Sequence, residues 1–140
     1  MEDSAFGRLE KLKFGWRGVE SLAFFGVQHD IEVIVDESDG DGIIREGQRQ
    51  AYRDFQANRE RYIATAEDAI LAYYLQECDE PRVESKAGLT NLVTLTSIFF
   101  PTTELCFGLL LECDWDEEHG LAVKFVGGMV TEVGLQDILI

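Results

Sequence analysis

Proline occurs only twice in this chain and cysteine three times, and no stretch is rich in glycine and serine. That excludes a proline-rich spacer and a flexible linker between domains. Cys78, Cys106 and Cys113 are odd in number and show no CxxC spacing, so neither a disulfide framework nor a zinc ribbon is encoded. No apolar run approaches the roughly 20 residues that a membrane-spanning helix needs. Met1-Glu2-Asp3-Ser4 lacks the basic region that opens a secretory signal. These absences lead to the expectation of a reduced, cytoplasmic protein.

Basic residues are the other scarcity. Twelve Lys and Arg stand against 27 Asp and Glu, leaving a net charge of −15. Phosphate would be repelled, so nucleic acid and anionic membranes are poor partners. A basic protein, a cation, or solubility alone remains compatible with this balance. The charge is also uneven. Beyond Lys86 the sole basic residue is Lys124, while Glu104, Glu112, Asp114, Asp116, Glu117, Glu118, Glu132 and Asp137 are acidic.

What is present is an ordinary core. The apolar fraction is 46% over 140 residues, enough for one domain spanning 1–140. His29 to Asp36 alternates, with Ile31, Val33 and Val35 on one face, as in a half-buried antiparallel strand. Phe6 to Val19 reads as short strands with glycine bends. From Gly47 to Glu77 the spacing turns helical through Tyr52, Phe55, Tyr62, Ile63, Ala66, Ile70 and Tyr73. One long helix and two shorter ones fit equally, and Thr65-Ala66-Glu67-Asp68 resembles a helix start. Leu89, Leu92, Val93 and Phe99 predict a second helical stretch over about 88–98, with a strand as the alternative.

The last forty residues predict an antiparallel meander: Leu105 to Trp115, Leu121 to Val126, and Met129 to Val133, with Gly127-Gly128 as a tight turn. The expected fold is α+β: an antiparallel sheet with an N-terminal hairpin region and a C-terminal meander, helices packed on one face.

The densest chemistry is Asp114-Trp115-Asp116-Glu117-Glu118-His119-Gly120. Strand alternation puts Phe107, Leu109, Leu111, Cys113 and Trp115 on the core face, and Glu112, Asp114 and Asp116 in a ladder on the other. Glu117, Glu118 and His119 extend that surface into the turn, and Gly120 suits its positive-φ exit. Either this is a solvated turn, or the carboxylates meet Arg and Lys of a partner.

Trp115-Asp116-Glu117-Glu118-His119-Gly120-Leu121-Ala122-Val123, followed by Val130-Thr131-Glu132-Val133-Gly134, resembles the C-terminal signature of a group of small bacterial domains of unknown function. Gly42-Ile43 with Gln48, Tyr52 and Phe55, and the Tyr73-Tyr74 pair, are similar too. The resemblance implies a protein of the toxin-immunity kind, or an accessory protein. It carries no catalytic residues, and it marks Trp115, Asp116, Glu118, His119 and Gly120 as the characteristic set.

A second constellation is Glu37 to Gln48, which imitates a calcium loop with Glu37, Asp39, Asp41, Ile43 and Gln48 at ligand positions. It departs by having Glu first and Gln last, and the element before it reads as a strand. No nucleophile elbow or phosphate loop occurs, which ranks an enzyme built on Asp116, Glu118 and His119 last. The expected function is therefore a non-enzymatic, cofactor-free binding protein for a basic toxin domain, with a calcium module as the alternative.

Overall fold

The computed structural model describes residues 1–37, 41–78, 83–102 and 105–139. In chain order the elements are β1 (Glu2–Asp3), β2 (Gly7–Arg8), β3 (Glu10–Leu12), β4 (Gly15–Phe24) and β5 (Val27–Val35), then helices α1 (Glu46–Ala57) and α2 (Arg59–Glu77). Four more strands follow: β6 (Val93–Phe100), β7 (Cys106–Cys113), β8 (Leu121–Val126) and β9 (Met129–Gly134). Short 3-10 turns lie at Lys86–Leu89 and Gln136–Leu139.

One seven-stranded sheet holds β3 to β9 in chain order, and β1 with β2 forms a small hairpin beside it. The architecture is α+β, as expected, but the sheet is mixed. β5 and β6 run parallel, with Val33 opposite Ile98 and Val35 opposite Phe100. The reason lies in the connection. Two helices join these strands across one face, and a crossover of that length is what a parallel pair requires. Alternation within β5 is the same whichever way its neighbour runs, so the sequence pattern could not show it.

The predicted helix over 88–98 is also corrected. Its first residues form a 3-10 turn and the rest enter β6. A bulge between Leu95 and Ser97 places Val93, Leu95, Ile98 and Phe100 on the helix-covered face. The bulge replaces one spacing of two by a spacing of three, which imitates helical periodicity. In the long helical region, the break falls at Asn58, between α1 and α2, and Thr65 lies inside α2.

The core lies between the helices and one sheet face. Tyr52, Phe55, Tyr62, Ala66, Ile70 and Tyr74 descend from the helices onto Val33, Val35, Ile98, Phe100, Phe107, Leu109, Leu111 and Phe125. Phe107 and Phe125 stack at 4.8 Å, and Tyr62 meets both rings edge-on. On the opposite face the C-terminal turn lays Leu139 into the space left by Gly108, where a Cβ would come within 2.2 Å of Leu139. No helix among the described residues is long and apolar enough to cross a membrane.

One polar cluster ties β4 to the helices. Glu20 accepts hydrogen bonds from Tyr52 Oη at 2.6 Å and from Gln56 Nε2 at 2.9 Å, and pairs with Arg59. Burial, and then the Glu20 carboxylate, push the Tyr52 phenol up to about 12 from its ordinary 10.0. The folded chain thus keeps this proton longer than the unfolded chain does. The associated stability is complete below pH 10 and is lost as pH rises towards 12. Urea unfolding at pH 9 and 11.5 should show about 2 kcal/mol of alkaline destabilisation that Tyr52→Phe removes.

Candidate interaction surface

β7 carries the apolar row into the core as alternation predicts: Phe107, Leu109, Leu111 and Cys113 are all buried on the helix side. Trp115 continues it, half-buried, with its ring edge-on to Tyr74 of α2 at 4.9 Å. The strand itself stops at Cys113 rather than Trp115. Pairing with β8 ends at Leu111 opposite Leu121, and the Asp114 amide donates instead to the Leu92 carbonyl at 2.9 Å. From there the chain turns.

This corrects the expected ladder. Glu112 alone stands on the open sheet face. Asp114 begins the turn, and Asp116 is folded back as its cap. One Asp116 oxygen accepts the His119 backbone N–H at 3.1 Å and lies 3.0 Å from His119 Nδ1. The Asp116 carbonyl accepts the Gly120 amide at 3.0 Å. The His119 amide first, and its imidazole next, hold the Asp116 carboxyl below the usual carboxylate range.

Gly120 has φ +67°, and a Cβ there would lie 2.5 Å from the Gln136 side chain. Gln136 explains the close approach. Its Nε2 donates to the Leu111 carbonyl at 2.9 Å and its amide donates to the His119 carbonyl at 3.3 Å. The C-terminal segment therefore clamps the turn against β7. Nothing in the sequence pattern singled out Gln136, because the clamp joins residues 25 apart.

The electrostatics divide the molecule. In the first ninety residues most of the described cations are used internally: Lys11 on Glu37, Arg17 on Glu10 and Glu32, Arg45 on Asp41, Arg49 on Asp3, Arg53 on Glu46, Arg59 on Glu20, Lys86 on Asp68. Among the described residues, Glu112, Asp114, Glu117 and Glu118 have no Lys or Arg partner and are exposed. The turn thus presents uncompensated carboxylates on a clamped backbone.

A family profile, described as a domain of unknown function (DUF6985), matches residues 5–140. The chain belongs to the DUF6985 family. The match begins just after β1 and runs through the Gln136 clamp, so the turn and its fastening both belong to the DUF6985 domain. No curated protein and no solved structure matches the chain significantly.

The calcium-like loop has other work in this DUF6985 protein. Glu37 is buried and pairs with Lys11 at 2.9 Å; its second oxygen is buried with no hydrogen-bond partner among the described residues. Asp41 accepts the Ile43 amide at 2.9 Å and pairs with Arg45 at 2.7 Å. Ile43 gives its carbonyl to Arg45 at 3.4 Å. Gln48 is fully buried and joins three backbone groups: it accepts from the Arg45 amide at 2.8 Å and donates to the Asp36 and Phe100 carbonyls at 2.8 and 3.0 Å. Asp39 lies outside the described residues. Gln48, placed at the last ligand position, is turned into the strand–helix junction, away from any shared centre with Asp41. No cluster of three or more His, Cys, Asp or Glu groups suited to a metal occurs among the described residues.

Proposed function

We propose that this DUF6985 domain is a non-enzymatic binding protein whose acidic turn engages a basic protein partner, and that the partner is a toxin domain which the chain neutralises. The observation that supports this reading is that Glu112, Asp114, Glu117 and Glu118, exposed and without a Lys or Arg partner among the described residues, stand close together at one clamped turn in a chain of net charge −15. A cationic partner would recover electrostatic energy there that the fold leaves unused. The clamp through Gln136 keeps the turn ordered, so little conformational entropy is lost on docking. His119 and Asp116 shape the surface by holding each other. Net charge of −15 disfavours nucleic acid, and the reduced cysteines suit the cytoplasm.

Affinity capture from cells that make the protein identifies the partner. The captured protein should arrest growth when expressed alone and be tolerated when co-expressed with this chain. Exchange of Glu112, Asp114, Glu117 and Glu118 for Gln or Asn should then slow association about tenfold or more at low salt, with an unchanged melting temperature. Association that is equally fast for the neutralised variant would remove the acidic turn from recognition. A captured partner that is harmless alone would remove the toxin reading.

A further inference from the structure

The outer edge of β4 is largely unpaired. β4 runs from Gly15 to Phe24, and β5 pairs with it from Trp16 to Phe24. On its other side β3 reaches only Gly15 to Arg17. At Leu9 the chain leaves the sheet and exchanges hydrogen bonds with Met1 instead.

The hairpins at both ends of β4 establish which backbone groups face outward. Leu12 closes a two-residue turn opposite Gly15, and Phe24 closes another opposite Val27. Residues closing such turns bond to each other, so Gly15 faces β3 and Phe24 faces β5. Alternation then points the amides and carbonyls of Val19, Ser21 and Ala23 away from the sheet. The Ser21 carbonyl agrees, since Arg59 Nη1 reaches it from outside at 3.5 Å. No other backbone partner occupies this edge among the described residues.

Proteins usually protect such an edge with lysine, proline, a bulge or a covering element. Val19, Ser21 and Ala23 are neither lysine nor proline, the Arg59 side chain covers only the Ser21 carbonyl, and Val19 is 67% exposed. A cavity of about 780 Å³ opens where β3 ends, among Arg8, Leu9, Trp16, Arg17, Gly18 and Val19. Lys11 and Glu10 also line it. Lys11 pairs with Glu37 and Arg17 with Glu10 and Glu32, which leaves Arg8 as the lining cation with no carboxylate partner among the described residues.

We propose that the β4 edge from Val19 to Ala23 accepts an extended segment of a partner protein as an added strand, with acidic residues at the end that enters the Arg8–Arg17 cavity. Backbone bonds along the edge give the affinity, and the unpaired Arg8 selects the charge. The chain's own acidity does not cancel this choice. The acidic turn follows the far end of β7, at the opposite end of the sheet and three strands away. Strand geometry separates the two by about 25–30 Å, several times the roughly 8 Å screening length at physiological salt. The same acidity opposes a second copy of this chain as the occupant.

Hydrogen exchange on the intact chain tests the edge directly. Val19, Ser21 and Ala23 amides should exchange about 100-fold faster than the Leu22 amide, which faces β5. A blocked seven-residue peptide alternating Val and Glu should slow those three amides. Its Val–Lys counterpart should bind about tenfold or more weaker, and a version N-methylated along one edge should not bind. Arg8→Ala should weaken the Val–Glu peptide about tenfold, and Ser21→Pro should abolish its binding. Should Ser21→Pro fail to fold, Ala23→Pro gives the same result, because it too removes an outward-facing amide. The proposal is overturned if the outward amides of the free chain exchange as slowly as Leu22. It is equally overturned if the two peptides bind alike or neither binds. Sedimentation showing a dimer that Val19→Lys dissolves would place a second copy on the edge and overturn it as well.

Discussion

Gln48→Leu is expected to cost this protein about 3–5 kcal/mol of stability, the largest loss from any polar substitution considered. Leucine matches the volume of the glutamine, so packing changes little. What disappears is the set of bonds to the Arg45 amide and to the Asp36 and Phe100 carbonyls. The Arg45 amide and the Asp36 carbonyl lose their Gln48 partner at this partly buried junction, at about 1–3 kcal/mol each, and the Phe100 carbonyl loses one of two bonds. The Asp36 amide also donates to the Phe100 carbonyl at 3.0 Å, so Gln48 closes the end of the parallel β5–β6 pair and starts α1 at once. Chemical denaturation of the variant measures the loss, and a change below about 1 kcal/mol would contradict the assigned role. Gln48→Glu separates this role from the calcium reading. It supplies the acid that a calcium loop wants at its last position, yet it sets a carboxylate against two carbonyl oxygens. The structure predicts destabilisation without rescue by millimolar calcium. A rise in melting temperature on adding calcium to that variant would revive the loop as a cation site.

Gly120→Ala should cost about 3 kcal/mol, for two separable reasons. Alanine at φ +67° bears the left-handed penalty of about 1–2 kcal/mol. Its methyl also displaces Gln136, whose bond to the Leu111 carbonyl is then lost. A double-mutant cycle with Gln136→Ala divides the two, because shortening Gln136 relieves the clash and leaves the backbone penalty. The loss in the double variant, measured against Gln136→Ala alone, should shrink to about 1–2 kcal/mol. Equal losses in both backgrounds would mean that Gln136 does not clamp the turn. On the proposed role of the turn, the Gly120→Ala variant should bind its partner more weakly even though every carboxylate is retained.

Several elements were legible in the residues because they depend on neighbours in the chain. The alternation in Ile31, Val33 and Val35 and in Phe107, Leu109, Leu111 and Cys113 identified both the strands and their buried faces. Gly127-Gly128 marked a tight turn, and both residues adopt positive φ, at 59° and 85°. The helical stripe of Tyr52, Phe55, Tyr62 and Ile70 is the stripe that enters the core. Where local pattern was ambiguous, reading failed. The bulge at Leu95–Ser97 gave β6 a helix-like spacing, and the acidic ladder assumed that β7 continued past Cys113.

By itself the sequence determined the α+β class, the C-terminal meander, the core faces of most strands and the concentration of acid after β7. Those follow from periodicity and composition, which act over a few residues. Only the tertiary structure decided that β5 and β6 run parallel, that Gln48 serves the strand–helix junction, that Gln136 fastens the Asp114–Gly120 turn, and that β4 keeps an open edge. Each of these depends on which distant backbone groups find partners. Gln48 meets Phe100 across 52 residues and Gln136 meets Leu111 across 25, separations at which a single sequence leaves no periodic trace.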